Sequence, residues 1–218
     1  KYIQLNPTFL DRKRQKFKKI YKILLKNKIL FLTSSSSLYT YRLEDRILSS
    51  QIQISLNLWK FFFSKLPTQL KNRIVIRNNP QFDPWNLNRQ LNLFFKKKVC
   101  SNIKDIHKDI YSSEILINTS ISTTFFQSMD SGIPTMLLLK EDLWNLSFSG
   151  KKIYDTLKKH EIIFTDPNLM IKHLVRIHKD PQLWWNTKKI LEVRNLFNVY
   201  FMKNGDFSNW CKFFKSLR

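Results

Sequence analysis

Residues 114–134, EILINTSISTTFFQSMDSGIP, contain the pattern that decides the fold. The apolar run at 115–117 predicts a short buried strand, and a hydroxyl-rich turn follows over 118–124. A helix comes next and is ended by Gly132 and Pro134, because glycine accepts a left-handed conformation and proline cannot continue a helix. A second apolar run follows. Strand, polar loop, helix and strand in this order form a βαβ unit with two parallel strands.

The polar turn of this unit lies where doubly wound sheets bind ligands, at the carboxyl end of a strand. The helix predicted over about 123–131 directs free N–H groups and the positive end of its dipole toward the turn, which favours an anion. Ser120, Ser122, Thr123 and Thr124 add hydroxyl donors there. These residues predict a phosphate site. The alternative is that they only cap the helix, because Ser and Thr are preferred N-cap residues.

Apolar runs and helical patterns alternate along the rest of the chain. Further strands are predicted at 28–33, 73–77, 98–101 and 162–165, and helices at 45–65, 83–95, 103–111, 149–159, 166–178 and 188–202. Ile47, Ile54, Leu58, Phe61 and Phe62 are expected on the inward face of the helix at 45–65. Such alternation predicts an α/β fold, a Rossmann-like and mostly parallel sheet with helices on both faces.

The sequence predicts that the chain consists of three segments. Residues 1–27 are predicted to be a basic amphipathic helix, 28–203 the Rossmann-like domain, and 204–218 a C-terminal packing helix. The first segment is rich in Lys and Arg, which indicates either a solvated helix face or attraction to an anionic membrane surface.

Other polar residues follow the predicted strands. Thr33 and Ser36 belong to a second hydroxyl-rich loop, directly after the strand at 28–33, and Arg42 lies just beyond it. Arg77 ends the strand at 73–77. An arginine at this position either binds a phosphate bidentately or pairs with a nearby acid, and the sequence leaves both alternatives open.

Composition restricts the functional classes. The net charge is +22 at a pI near 10.1, yet the chain has no recognisable nucleic-acid-binding motif, so no specific nucleic acid is expected as a partner. Two isolated cysteines and four scattered histidines give no metal-binding spacing, and no dinucleotide or Walker motif indicates a cofactor. The histidines are taken as structural or exposed. No membrane span or signal peptide is recognisable. The two isolated cysteines fit a reduced, cytoplasmic protein, either free or peripheral at the inner membrane face.

Several pieces of the chain, in order, resemble a family of transferases found with O-antigen and surface-carbohydrate biosynthesis. They cover roughly residues 28–200 and are Ile29 to Thr33, Tyr41 to Leu43, Leu48 to Gln51, Val75 to Arg77, Asp83 to Trp85, Thr119 to Pro134, and the pair Trp184 and Trp185. The stretch from Thr119 resembles the donor-binding segment in the C-terminal half of GT-B glycosyltransferases. The resemblance implies a GT-B-type domain that binds the diphosphate of a nucleotide-sugar.

The implied activity is glycosyl transfer from a nucleotide-sugar, a substrate rather than a cofactor, to a glycan or lipid-linked acceptor. Gln127 stands where such transferases usually carry a Glu that bonds the donor ribose. The catalytic base commonly comes from the N-terminal lobe, so none is assigned, and that lobe is expected to be missing or supplied separately. The alternatives are a polyol-phosphate transferase with a CDP-glycerol-like donor, and a non-catalytic half-transferase that binds a nucleotide or a partner.

Overall fold

The computed structural model describes residues 27–34, 51–79, 83–144, 146–201 and 215. The helices predicted for 1–27 and 204–218 therefore lie almost entirely outside the described residues. Nearly all of the described residues belong to the predicted central domain.

Five short strands form one parallel sheet in the order β2-β1-β3-β4-β5. They are β1 (Ile29–Leu32), β2 (Ile74–Arg77), β3 (Ile115–Asn118), β4 (Thr135–Leu138) and β5 (Ile163–Phe164). In the register, Leu32 of β1 lies beside Arg77 on one side and Asn118 on the other. The carboxyl ends of three strands therefore reach the same edge together.

Alternate residues of each strand pack against different layers, as a sheet covered on both faces requires. Ile29 and Phe31 belong to one core cluster, and Leu30 and Leu32 belong to another. This architecture confirms the predicted α/β Rossmann-like fold with a parallel sheet and helices on both faces.

The helices of the described residues fall into two layers. They are α1 (Ile52–Lys65), α2 (Thr68–Arg73), α3 (Leu87–Phe95), α4 (Ile106–Tyr111), α5 (Thr123–Asp130), α6 (Phe148–Lys159), α7 (Pro167–Ile177), α8 (Pro181–Trp185) and α9 (Lys188–Phe201). Helices α1, α3 and α7 share the cluster of Phe31. There, the ring centroid of Phe31 lies 4.7 Å from that of Phe63. Helices α5, α6 and α9 share a cluster with Leu137 and Leu139 beneath the other face.

The strand order contains a topological switch point. The chain moves from β1 to its neighbour β2 and then crosses back to β3 on the opposite side of β1. In open parallel sheets the loops that leave the two strands at such a point diverge, and the crevice between them is where ligands bind. Here that crevice lies between the ends of β1 and β3.

Two predicted element starts are wrong. Arg73 ends α2 instead of starting β2, and α2 itself, which follows Pro67, was not predicted. Helix α3 begins at Leu87, because the left-handed backbone of Asn86 separates it from Asp83. The Asp83 carboxylate still accepts from the N–H groups of Leu87 at 2.7 Å and Asn88 at 3.1 Å. Its predicted capping role is therefore correct, but it acts from outside the helix.

The inward face predicted for α1 is partly wrong. Ile54 and Phe61 are 45% and 41% exposed, whereas Trp59 and Phe63 are almost fully buried. The stripe that packs on the sheet is rotated relative to the prediction, since two adjacent aromatic residues offer alternative helix phases. Ile47 lies outside the described residues. The strand predicted at 98–101 is reduced to a single parallel bridge between Cys100 and Ile76.

Candidate functional site

The loops that follow β1 and β3 meet at the switch point. Thr33 follows β1 directly, and Thr119 and Ser120 follow β3. The Thr119 hydroxyl donates to the carbonyl oxygen of Leu32 at 3.0 Å, which ties the start of one loop to the end of the neighbouring strand. The described starts of the two hydroxyl-rich loops that the sequence singled out are therefore neighbours at the carboxyl edge of the sheet.

Ser122 occupies the N-cap position of α5 but does not cap it with its side chain. Its backbone is extended (φ −140°, ψ 171°), and its hydroxyl makes no capping hydrogen bond. Its carbonyl oxygen accepts the first helical bond, from the N–H of Phe126 at 3.2 Å. Since the first N–H groups of a helix have no partner within it, this end of α5 presents donors that the Ser122 hydroxyl does not satisfy. The capping alternative is not realised at Ser122.

A buried hydroxyl network holds α5 against the sheet. The Ser128 hydroxyl lies 2.8 Å from the carbonyl oxygen of Thr124 and 3.4 Å from Oδ1 of Asn118. The Ser128 carbonyl accepts from the Ser131 hydroxyl at 2.6 Å and the Thr135 hydroxyl at 3.1 Å. Side chains from β3 and β4 thus contact α5 at Ser128, in its last turn, and hold this part of the helix against the sheet.

The end of α5 has the sharp stop that the sequence predicted. Gly132 has a φ of +78°, in the left-handed region that favours glycine. The chain turns there and enters β4 after Pro134, so α5 contains only eight residues.

The predicted site residues of this unit differ in exposure. Thr123 is exposed, Ser122, Thr124 and Gln127 are half-buried, and Ser120 is buried. Gln127 follows Thr123 by four residues and lies on the same side of α5. The structure therefore brings these five residues together around the first turns of one helix.

Arg77 pairs with an acid, one of its two predicted alternatives. Its Nη1 atom lies 2.8 Å from Oδ2 of Asp109, and its Nη2 atom donates to the carbonyl oxygen of Lys104 at 2.9 Å. Lys28 contacts the other oxygen of the same carboxylate at 2.6 Å. The assignment of Arg77 as a phosphate ligand stays a prediction. Two other predicted site residues, Arg42 and Ser36, lie outside the described residues.

Two asparagines at the carboxyl edge were not predicted as site residues. Asn118 ends β3 and Asn78 follows β2, and both side chains are buried. The Thr33 hydroxyl donates to Oδ1 of Asn78 at 2.9 Å. The signal that would have identified them is a polar amide directly at the end of an apolar run, at the edge where ligands bind.

Residues 6–214 match the family described as "LIC12162 family transferase". The chain belongs to the LIC12162 family of transferases. The match spans nearly the whole chain and confirms that the chain belongs to a transferase family. No curated protein matches the sequence.

No metal cluster accompanies the site of this LIC12162 family transferase within the described residues. Nowhere in that part of the chain do three or more His, Cys, Asp or Glu side chains form a group that could hold an ion. Of the histidines, His173 is buried between Phe164 and Trp184, at ring-centroid distances of 5.4 Å and 4.7 Å. Burial lowers the pKa of His173 to about 4, so the ring is neutral near pH 7. Its surroundings are those of a structural residue.

Neither the thiol nor the helices of the described residues suggest another class of function. Burial, followed by the charge of Asp83, raises the pKa of Cys100 to about 11, so this thiol stays protonated and weakly nucleophilic.

None of the helices in the described part of the chain combines the length and hydrophobicity that a bilayer crossing requires.

Proposed function

We propose that this LIC12162 family transferase is a glycosyltransferase of surface-polysaccharide or O-antigen biosynthesis that uses a nucleotide-sugar as its donor. In this proposal the chain forms the donor-binding half of a GT-B-type enzyme. The observation that carries the proposal is the N-terminus of α5. A helix start at the switch point, with an N-cap hydroxyl that does not cap, suits the diphosphate of such a donor.

The chemistry that such a site supplies is electrostatic. When the glycosyl bond breaks, negative charge grows on the departing diphosphate, and donors fixed in advance stabilise it without rearrangement. The hydroxyls of Ser122, Thr123 and Thr124 and the first N–H groups of α5 take this role. A buried contact between Ser128 and Asn118 of β3 holds the last turn of α5 against the sheet, so the helix is in place before the charge develops.

Gln127 is assigned to a ribose hydroxyl of the donor. It lies on the same side of α5 as Thr123, one turn further from the phosphate site. A neutral amide bonds a diol less strongly than a carboxylate does, so we expect modest donor affinity. The general base that deprotonates the acceptor is assigned to a second lobe, and the acceptor to a glycan or a lipid-linked glycan.

The test is calorimetric titration of the chain with CMP, CDP, UDP, GDP and dTDP at moderate salt. We expect selective binding of one diphosphate over the others. Ser122→Ala and Thr123→Ala should each weaken it about tenfold or more, because each removes a hydrogen bond to a charged group. Preference for CDP would favour transfer of a polyol phosphate over transfer of a sugar.

Thr156→Ala is the matched control. Thr156 lies near the end of α6, and its hydroxyl donates to the carbonyl oxygen of Lys152 at 2.9 Å. The end of a helix that precedes a parallel strand lies at the amino edge of the sheet, away from the proposed site, so this variant should bind like the wild type. Weak binding of every nucleotide that rising salt abolishes would contradict the proposal and indicate a charge-driven interaction.

A further inference from the structure

Asn78 is a buried amide beside Thr33 at the carboxyl edge of the sheet. Its side chain follows β2 and the residue is only 7% exposed. The carbonyl oxygen of Arg77 already accepts the backbone N–H of Thr33 at 3.0 Å. The Thr33 hydroxyl lies 3.2 Å from that carbonyl oxygen and 2.9 Å from Oδ1 of Asn78. The shorter of these two contacts is the hydrogen bond that the Thr33 hydroxyl donates to Oδ1 of Asn78, and this bond holds the Asn78 side chain.

The other end of this amide is unused. Nδ2 of Asn78 has no hydrogen-bond partner among the described residues. Buried polar atoms in folded proteins almost always have a partner, so an unpartnered amide at the ligand edge of a sheet indicates a donor reserved for a ligand. The bond from Thr33 holds the amide in place before any ligand arrives.

The electrostatics of this corner favour a neutral oxygen over a second phosphate. The nearest cation along the chain, Arg77, bonds Asp109 and the Lys104 carbonyl oxygen. Among the described residues, this corner offers a ligand an uncharged N–H donor. β1 separates β2 from β3, so the ends of β2 and β3 lie roughly 10 Å apart. That separation suits a ring attached to a diphosphate at the start of α5.

We propose that Nδ2 of Asn78 donates a hydrogen bond to a hydroxyl or carbonyl oxygen on a ring that carries the diphosphate, and that Thr33 positions the amide for this bond. The inference rests on the proposed function, since it takes the diphosphate to lie at the N-terminus of α5. It makes Asn78 a specificity residue for the uncharged part of the donor. The ring belongs either to the nucleoside or to the transferred sugar, and binding of probes with and without the sugar distinguishes the two.

The experiment compares wild type, Asn78→Ala and Thr33→Val in calorimetric titrations with three kinds of probe. The first is inorganic pyrophosphate, the second is the series CDP, UDP, GDP and dTDP, and the third is UDP-glucose and GDP-glucose. Asn57→Ala, an exposed amide on α1, is the matched control. Thermal unfolding of each variant shows that it is folded.

We expect Asn78→Ala to weaken the binding of the ring-containing probes about three- to tenfold, because one neutral hydrogen bond is lost. The binding of pyrophosphate should stay unchanged. A loss already present with the nucleoside diphosphates assigns the ring to the nucleoside, and a loss confined to the glucose esters assigns it to the sugar. Adding Thr33→Val to Asn78→Ala should cause little further loss, because Thr33 acts through the amide.

Two results would overturn this inference but leave the proposed function standing, provided that Thr123→Ala still weakens binding. The first is that Asn78→Ala weakens the binding of pyrophosphate and of the ring-containing probes equally. The second is that Asn78→Ala changes the binding of none of them. If the wild-type chain binds none of the probes, the proposed function fails and the inference fails with it.

Discussion

The guanidinium of Arg77 and the carboxylate of Asp109 form a buried ion pair, with Nη1 and Oδ2 separated by 2.8 Å. Lys28 bonds the same carboxylate from the other side, at 2.6 Å. One acid on α4 is therefore the shared counter-charge of a cation that precedes β1 and another that ends β2. The pair links the face of the sheet to the edge where the candidate site lies, because Arg77 is followed directly by Asn78.

Asp109→Ala should destabilise the fold strongly, because it leaves two largely buried cations without their counter-charge. Removing one partner of a buried pair typically costs about 3–5 kcal/mol. Urea denaturation monitored by circular dichroism gives the free energy of unfolding. Asp155→Ala is the control, since Asp155 belongs to an exposed pair with Lys151, and its effect should stay within about 0.5 kcal/mol. Equal, small effects of both substitutions would show that Arg77 and Lys28 find other partners.

Ser122→Ala should leave the free energy of unfolding unchanged within about 0.5 kcal/mol, even though Ser122 is an N-cap residue. The reason is that its hydroxyl makes no capping bond to α5. Asp166→Ala is the contrasting variant, because the Asp166 carboxylate accepts from the N–H of Asn168 at 2.8 Å at the start of α7. It should cost about 1 kcal/mol. Chemical denaturation of the two variants and the wild type measures their free energies of unfolding. A loss of about 1 kcal/mol in the free energy of unfolding for Ser122→Ala would mean that its hydroxyl caps α5 after all.

The sequence predicted the sheet well because its strands are buried on both faces. Continuous apolar runs such as 115–117 are typical of such strands, and their ends agree with the structure to within a residue or two. Gly132 and Pro134 ended α5 where local chemistry requires it. Predictions that rest on backbone chemistry were therefore reliable here.

The failures concern properties that neighbouring elements determine. The phase of α1 depends on which of its aromatic residues fit against Phe31, and the sequence offers Phe61, Phe62 and Phe63 in a row. The sequence also left the partner of Arg77 open between a phosphate and an acid, because Asp109 lies 32 positions away and no local pattern indicates it. The contact between Asn78 and Thr33 was missed for the same reason, since Thr33 follows a different strand.

Gly132→Ala should destabilise the protein by about 1–2 kcal/mol through the backbone alone. Gly132 has a φ of +78°, and a Cβ added there would meet no atom within 4 Å, so no steric clash contributes. Gly132→Asn should lose less, because asparagine tolerates the left-handed conformation better than alanine does. Urea denaturation of the three proteins measures the free energy of unfolding, which should decrease in the order glycine, asparagine, alanine at position 132. Equal stability of the alanine and glycine forms would mean that the turn adopts another conformation.

His173 should make the fold less stable as the pH falls from about 6.5 to about 4. Burial lowers its pKa from 6.5 to about 4 in the folded state, and the charge of Arg176 acts in the same direction, whereas Glu161 opposes it. Between these two values the unfolded chain binds a proton at His173 and the folded chain does not. The free energy of unfolding therefore rises with pH across this window, by at most about 1.4 kcal/mol per pH unit from this residue.

His173→Gln removes that titration and should flatten the pH dependence of stability. Urea denaturation of both proteins at pH 7, 6 and 5 gives the two slopes. Glu161 and Arg176 remain in the variant, so the difference in slope reports His173 together with its contact to Glu161. Parallel slopes would mean that the ring takes up its proton inside the fold, with Glu161, whose Oε2 lies 3.3 Å from Nδ1, as its counter-charge.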